Sequence, residues 1–169
     1  MTANNKKNIP DELVKHHYSK LVLDSQFEAF FDSITDLTSR LLDVPIALVT
    51  FVNEETIWVQ SQAGFQIPQT LHNRKRFCGI FPQDRDLFQI SDTDLDVTHE
   101  NHLFLIDGKK AKFYAGVKIK LPLGEMIGVL CVFDVAPRTL TVMQRDYLIG
   151  MARIIEKALV TKNFLHRVI

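Results

Sequence analysis

The chain of 169 residues lacks several features that define common protein classes. Only two cysteines occur, Cys78 and Cys131, which excludes a disulfide framework and favours a reducing cytoplasm as its location. Basic and acidic residues each number 20, so the charge balance indicates neither nucleic acid nor a membrane as a partner. No apolar run approaches the roughly 20 residues of a transmembrane helix. The seven glycines never form Gly-x-Gly, and no Walker loop or nucleophile elbow occurs.

The hydrophobic content is high enough for a folded core. Hydrophobic residues make up 46% of the chain, which excludes a disordered protein. The length fits one domain, because single domains commonly hold roughly 100–200 residues. We expect a polar, partly flexible lead-in at residues 1–20 and a single domain at residues 21–169.

Two stretches have the apolar spacing of amphipathic helices. In residues 25–42 large apolar side chains recur three and four positions apart, and Ser25 begins a capping-box pattern. Residues 141–165 repeat this spacing, with Thr141 and Gln144 as a second capping box. The sequence therefore predicts one helix near each end of the domain.

The strand patterns are of two kinds. Residues 46–52 and 126–133 are apolar at nearly every position, as in strands covered on both faces. Residues 113–120 alternate, with Lys118 and Lys120 on the more polar face, so this strand is predicted to be half exposed. We expect a central antiparallel sheet of five or six strands whose doubly apolar strands are central. Both helices should pack on one face, and loops with a short helix on the other.

Residues 66–112 form a long irregular connection, which is unusual in a compact domain unless it serves as a lid or a binding loop. We therefore expect a small-molecule pocket between this segment and the sheet. Aromatic residues would supply the apolar wall, while Asp92 and Asn101 would orient the ligand. The candidate ligand-binding residues are Trp58, Phe77, Cys78, Phe88, Asp92, Asn101, Phe104 and Tyr114. Core packing is the alternative interpretation for the aromatic members of this set.

Metal-binding patterns are incomplete. "DTDLD" at residues 92–96 begins like a calcium loop, but Val97 and Leu103 stand where such a loop needs glycine and glutamate. His99 and His102 are three positions apart, one short of the spacing of a zinc-binding helix. We expect no metal and no catalytic residues.

Four motifs together resemble the GAF sensor domain. They are "DVPIA" at residues 43–47, "FYAG" at 113–116, "GVLCVFD" at 128–134 and "PRTL" at 137–140, and the likeness extends over roughly residues 25–160. The resemblance implies an α/β (α+β), GAF/PAS-like fold. It also implies a ligand in the loop layer and a place in bacterial signal transduction, as in domains found upstream of kinases and cyclic-di-nucleotide enzymes.

The chain departs from the functional subfamilies of this fold. Cys78 is followed by Gly79 rather than histidine, so no bilin is expected, and the signature of the cyclic-nucleotide-binding members is absent. Free methionine-R-sulfoxide reductases use several cysteines, whereas this chain has two distant ones. The leading interpretation is a non-catalytic small-molecule sensor or regulatory domain with an unknown ligand. A reductase-like enzyme and a purely structural dimerisation module are the alternatives.

The C-terminal helix is predicted to be longer than a small sheet can cover. At 1.5 Å per residue, a helix of about 25 residues spans roughly 37 Å. We therefore expect a homodimer through the terminal helices, with Phe164, Leu165, Val168 and Ile169 left for the partner. A signalling protein is a further expected partner.

Overall fold

The computed structural model describes residues 25–52, 56–67, 70–72, 81–99, 105–106, 108–122 and 124–168. They form two helices and eight strands in the order α1 (Ser25–Leu42), β1 (Ile46–Val52), β2 (Thr56–Ala63), β3 (Thr70–His72), β4 (Leu87–Ile90), β5 (Leu105–Ile106), β6 (Lys109–Lys110), β7 (Phe113–Lys120), β8 (Met126–Asp134) and α2 (Val142–Val168). The predicted helices are thus confirmed, with α2 beginning one residue later and ending three residues later than expected. Neither described helix combines the length and apolarity needed to cross a membrane. The proposed lead-in at residues 1–20 lies outside the described residues.

Six strands form one antiparallel sheet in the order β3-β2-β1-β8-β7-β4, and β5 pairs with β6 in a separate ribbon. The doubly apolar strands β1 and β8 are the two central strands, as predicted. The expectation that β7 is half exposed is wrong, because seven of its eight residues are buried. β4 covers the outer edge of β7, and loop residues cover the face that carries Lys118.

Both helices pack on the same face of the sheet, which confirms the predicted layering. Helix α1 contacts β1 and β2, whereas α2 contacts β7 and β8. Phe31 and Ile34 of α1 and Leu148 and Ile155 of α2 meet inward residues of the strands in one hydrophobic core, here termed the helix-side cluster. Burying such aliphatic and aromatic side chains stabilises the fold by about 1.5–3 kcal/mol each.

The opposite face of the sheet carries a second core, here termed the loop-side cluster. Its strand members include Leu48, Tyr114 and Cys131, and irregular segments add Phe81 and Ala111. Strand residues alternate between the two clusters, which explains why β1 and β8 are apolar at nearly every position. The short helix expected near residues 74–81 falls almost wholly outside the described residues.

The end of α1 and the start of α2 are joined by side chains. Arg138 Nη1 donates hydrogen bonds to the carbonyls of Leu42 (3.1 Å) and Asp43 (2.7 Å), and Gln144 Nε2 donates to Leu42 (3.1 Å). Arg138 also pairs with the buried carboxylate of Asp134. These contacts, here termed the Arg138 clamp, satisfy carbonyls that a helix end leaves without intrahelical partners. Because the two ends meet here on one sheet face, α1 and α2 run antiparallel.

The capping box predicted for α2 is present. Thr141 Oγ1 accepts a hydrogen bond from the Gln144 backbone N–H at 3.1 Å, and Gln144 Oε1 accepts one from the Thr141 N–H at 3.0 Å. This reciprocal pair satisfies two donors at the helix start. Gln144 therefore caps its own helix and, through its amide nitrogen, also binds the end of α1.

Candidate functional site

Aromatic rings on the loop-covered face form a continuous cluster. Phe88 is central, with ring centroids 5.9 Å from Phe81, 5.2 Å from His99 and 6.0 Å from Tyr114. Tyr114 in turn lies 5.1 Å from Phe133. We call these five residues the aromatic cluster. Apolar and aromatic side chains line most small-molecule sites, so this cluster is the candidate for the predicted apolar wall.

Strand pairing brings these rings together. Phe88 on β4 stands opposite Gly116 on β7, and Tyr114 stands opposite Phe133 on β8. The Tyr114 ring leans along its own strand, so a Cβ at position 116 would lie only 2.5 Å from its Oη atom. The glycine of the "FYAG" motif therefore leaves the space that the tyrosine ring occupies.

A carboxylate–imidazole pair lies beside Phe88. Asp96 Oδ2 is 2.9 Å from His99 Nδ1, while Asp96 Oδ1 accepts the backbone N–H groups of Thr98 (2.9 Å) and His99 (3.1 Å). Burial alone would raise the pKa of the Asp96 carboxyl, but these hydrogen bonds outweigh it and hold the pKa below its usual range. The loop thus fixes the imidazole against the aromatic cluster.

Lys118 lies on the same sheet face and is only 7% exposed. Its Nζ atom donates to the carbonyl of Gln83 at 3.0 Å and stands 5.3 Å from the centroid of the Phe81 ring. The positive charge is thus held at the edge of the aromatic cluster.

Neither Asp96, His99 nor Lys118 was among the predicted ligand-binding residues. The signal for Asp96 is its residue type in an irregular segment. An aspartate side chain there commonly accepts the backbone N–H two residues further on and so closes an Asx turn. Lys118 gave no such signal, because alternation alone assigns a lysine to an exposed face.

A charged network lies at the far end of β7, near α2. Lys120 Nζ is 2.8 Å from Asp86 Oδ2, which also pairs with Arg153 at 3.2 Å. The hydrogen bond from Lys120 lowers the pKa of Asp86, and the charges of Lys120, Arg153 and Lys118 add to this effect against the opposing effect of burial. Glu156 Oε1 accepts the backbone N–H of Lys120 at 2.8 Å, which ties the strand to the helix.

An open groove of about 660 Å³ lies over this network. It is lined by Lys120, Leu121, Pro122, Gly124, Arg153, Glu156, Lys157, Val160 and Thr161. The groove is bordered by the β7–β8 turn and α2, and it is lined by none of the predicted ligand-binding residues that fall in the described ranges, Trp58, Phe88, Asp92 and Tyr114.

The predicted ligand-binding residues have different locations. Phe88 and Tyr114 belong to the aromatic cluster. Asp92 lies in the irregular segment that follows β4, and its Oδ1 atom accepts the backbone N–H of Asp94 at 3.0 Å. Trp58 is not brought to this surface. It packs against the helix-side cluster, since its neighbours Ile57 and Val59 point to the loop side. Phe77, Cys78, Asn101 and Phe104 lie outside the described residues.

Within the described ranges, no group of three or more histidine, cysteine, aspartate or glutamate side chains is arranged to hold a metal ion. His102, the second histidine of the incomplete zinc pattern, lies outside those ranges. The site geometry that the structure describes is therefore aromatic rings, one imidazole–carboxylate pair and one buried lysine.

No family model matches the chain. A cyclic di-GMP phosphodiesterase from Pseudomonas aeruginosa is 26% identical over 117 residues, which are 69% of this chain and 20% of that enzyme. The chain thus matches about one fifth of the length of this relative.

Solved structures share the fold more completely. The GAF domain of an Acinetobacter phosphoenolpyruvate-protein phosphotransferase superposes with a TM-score of 0.68 at 11% identity, covering 90% of this chain and 93% of that one. The free methionine-R-sulfoxide reductase from Neisseria meningitidis, solved with its substrate, gives 0.67 at 15% identity, covering 98% and 96%. The sheet order, the two helices on one face and these superpositions establish that the chain has the GAF fold.

Proposed function

We propose that the chain is a non-catalytic sensor domain of a cytoplasmic bacterial signalling protein, and that it binds a small molecule on the loop-covered face of its sheet. The observation that carries the proposal is the aromatic cluster, bordered by the Asp96–His99 pair and by Lys118. Apolar walls with a few positioned polar groups are characteristic of small-molecule sites. The similarity to part of a cyclic di-GMP phosphodiesterase supports a role in signalling.

A ligand screen tests the binding face. Nucleotides, amino acids and aromatic metabolites are added to the 15N-labelled protein, and the amide signals of Phe88, His99 and Gly116 are followed. A ligand on the loop-covered face shifts these signals saturably. Shifts confined to Lys120 and Lys157 would place the ligand in the open groove instead. If no compound produces a saturable shift, a structural dimerisation module becomes the better account.

We further propose that the chain forms a homodimer through its two helices. Leu37 and Leu41 of α1 are 43% and 37% exposed, and Tyr147 and Ile154 of α2 are 39% and 45% exposed. The members of each pair are four and seven residues apart, so each pair lies on one side of its helix. The helices are neighbours, and their apolar stripes favour a bundle with a second copy. The side chains of Phe164, Leu165 and Val168, and all of Ile169, lie outside the described residues.

A pair of matched variants tests this interface. Ile154→Glu should convert the dimer to a monomer, because a charge would be buried in the bundle. Val160→Glu is the control, since Val160 is 41% exposed but points about 120° away around the helix. Light scattering at micromolar concentration measures both. A monomeric wild type, or equal dissociation of both variants, would contradict the proposed interface.

A reductase remains the second candidate, because a free methionine-R-sulfoxide reductase shares the fold over 98% of this chain. Cys131 is fully buried in β8, which leaves Cys78 as the thiol to test. We expect no turnover of free methionine-R-sulfoxide with a thioredoxin-type reductant. Turnover that Cys78→Ser abolishes would overturn the non-catalytic proposal.

A further inference from the structure

Lys118 is a buried cation without an anionic partner among the described residues. One of its three N–H donors binds the Gln83 carbonyl, and the Phe81 ring lies close to the ammonium. None of the ion pairs in the described part of the chain includes it. Removing an ammonium group from water is unfavourable, and a carbonyl and a ring offset only part of this cost.

The charge of Lys118 interacts with the Asp86 carboxylate, but Lys118 forms no ion pair with it, and two other cations contact the same carboxylate. Both Asp86 oxygens accept from Lys120 Nζ, at 3.0 and 2.8 Å, and Arg153 contacts the same carboxylate. Arg153 also pairs with Glu156. Among these described groups, the three cations Lys118, Lys120 and Arg153 thus share two carboxylates.

We propose that Lys118 binds an anionic group, a carboxylate or a phosphate, of the small molecule held on the loop-covered face. This inference rests on the proposed function and specifies the ligand class. A lysine offers donors only, so its remaining N–H groups select an acceptor that carries negative charge. The rings of Phe81, Phe88 and Tyr114 then pack against the apolar part of the same ligand.

The position of Lys118 on its strand supports this arrangement. Tyr114, Gly116 and Lys118 are alternate residues of β7, so all three face the loop side. Because Gly116 has no side chain, the Tyr114 hydroxyl extends along the strand toward Lys118. A ligand with its anionic group near Lys118 and its apolar part over Phe88 would therefore occupy one continuous surface of the protein.

Titration with two simple anions tests the proposal. Inorganic phosphate and succinate are added at constant ionic strength, set with sodium chloride, to the wild type, Lys118→Met and Lys110→Met. Lys110 is the control, because its ammonium already has an anionic partner, Asp94, at 3.2 Å. Amide shifts of Phe88 and Gly116 should saturate in the wild type and the control. Lys118→Met should weaken binding by at least about tenfold.

The two anions separate the two sources of negative charge. Tighter binding of phosphate indicates a phosphorylated ligand, whereas tighter binding of succinate indicates a carboxylic acid. No saturable shift of the wild type with either anion, or equal weakening in both variants, would overturn the proposal.

Thermal unfolding without added anion distinguishes a binding role from a structural one. Methionine fills a similar volume without charge, so Lys118→Met should leave the Tm of the anion-free protein unchanged or raise it by a few degrees. A lysine that serves only the fold would instead give a lower Tm on substitution, and that result would count against the proposal.

Neutral compounds separate this inference from the proposed function. If nucleosides or aromatic amides shift Phe88 and Gly116 equally in wild type and Lys118→Met, the binding face stands and the role of Lys118 is wrong. If no neutral or anionic compound shifts these signals, both proposals fail.

Discussion

Single residues of β7 are constrained on two sides at once. Gly116 shows this most directly, because a methyl group at this position would meet the Tyr114 hydroxyl at 2.5 Å and the Val129 side chain at 3.0 Å. Tyr114 cannot move freely, since it is fully buried between Phe88 and Phe133. Interiors packed this densely transmit the effect of one added carbon to their neighbours.

Gly116→Ala should therefore lower the free energy of unfolding by about 1–3 kcal/mol. Gly150→Ala is the contrasting variant, because Gly150 lies in α2 with open space around it and alanine should stabilise the helix by about 0.5–1 kcal/mol. Urea unfolding at one fixed protein concentration measures both. Adding Tyr114→Phe to Gly116→Ala should recover part of the loss, and simple additivity of the two changes would refute the proposed clash.

The Asp96–His99 loop predicts a dependence of stability on pH. The pKa of Asp96 in the folded protein lies below its ordinary value of 3.8. Its carboxylate therefore adds stability that is complete above the unfolded pKa and is lost as pH falls through the folded pKa. The stability difference between wild type and Asp96→Asn should shrink as pH falls from 5 to below about 4. Urea midpoints across this acid range, with Asp36→Asn as control, measure it, and a difference that grows as pH falls below 5 would contradict the assignment.

At the scale of elements, the Arg138 clamp connects a strand end to two helix ends. Its guanidinium contacts the Asp134 carboxylate and the carbonyls of Leu42 and Asp43 at the same time. A planar group with five donors can make such contacts together, whereas an ammonium cannot. Arg138 of the "PRTL" motif thus holds the strand end and the end of α1 together.

Arg138→Ala should lower the free energy of unfolding by about 1–3 kcal/mol, because the buried Asp134 carboxylate loses its cation and the Asp43 carbonyl loses its donor, while the Leu42 carbonyl keeps only Gln144. Arg138→Lys should restore only part of the lost stability, since lysine keeps the positive charge but lacks the planar set of donors of the guanidinium. The control Arg40→Ala removes an exposed ion pair on α1 and should cost at most about 0.5 kcal/mol. Equal losses at both arginines, measured by urea unfolding, would show that the clamp contributes little.

Local sequence patterns predicted both helices and the central strands, because the residues that form each pattern lie within the helix or strand itself. The helices could be recognised by their stripes and the Thr141 capping box, and β1 and β8 by apolarity on both faces. The burial of Lys118 could not be predicted, because it depends on β4 pairing across a connection of more than twenty residues. The face of Trp58 depends on register in the same way, and an irregularity between Val49 and Thr50 shifts the pairing of β1 with β2.

At the scale of the whole molecule, β7 and β8 lie between the helix-side cluster and the loop-side cluster. Loop-side residues such as Tyr114 alternate with Phe113 and Ala115, which lie under the helices. A displacement of the strand on one side must therefore be accommodated on the other, because packed interiors have little free volume. Binding on the loop face and pairing through the helices are thus physically connected in the proposed function.

The Arg138 clamp joins the two helices at the end where α1 stops and α2 starts. From this joined end both helices extend along the sheet toward its opposite end. A displacement of the sheet should therefore change the separation of the two distant helix ends more than that of the two joined ends. Spin labels at Ala29 and Lys157 should show a larger ligand-dependent change in separation than labels at Arg40 and Arg145. Equal changes at both pairs would mean that the helices separate as parallel rods.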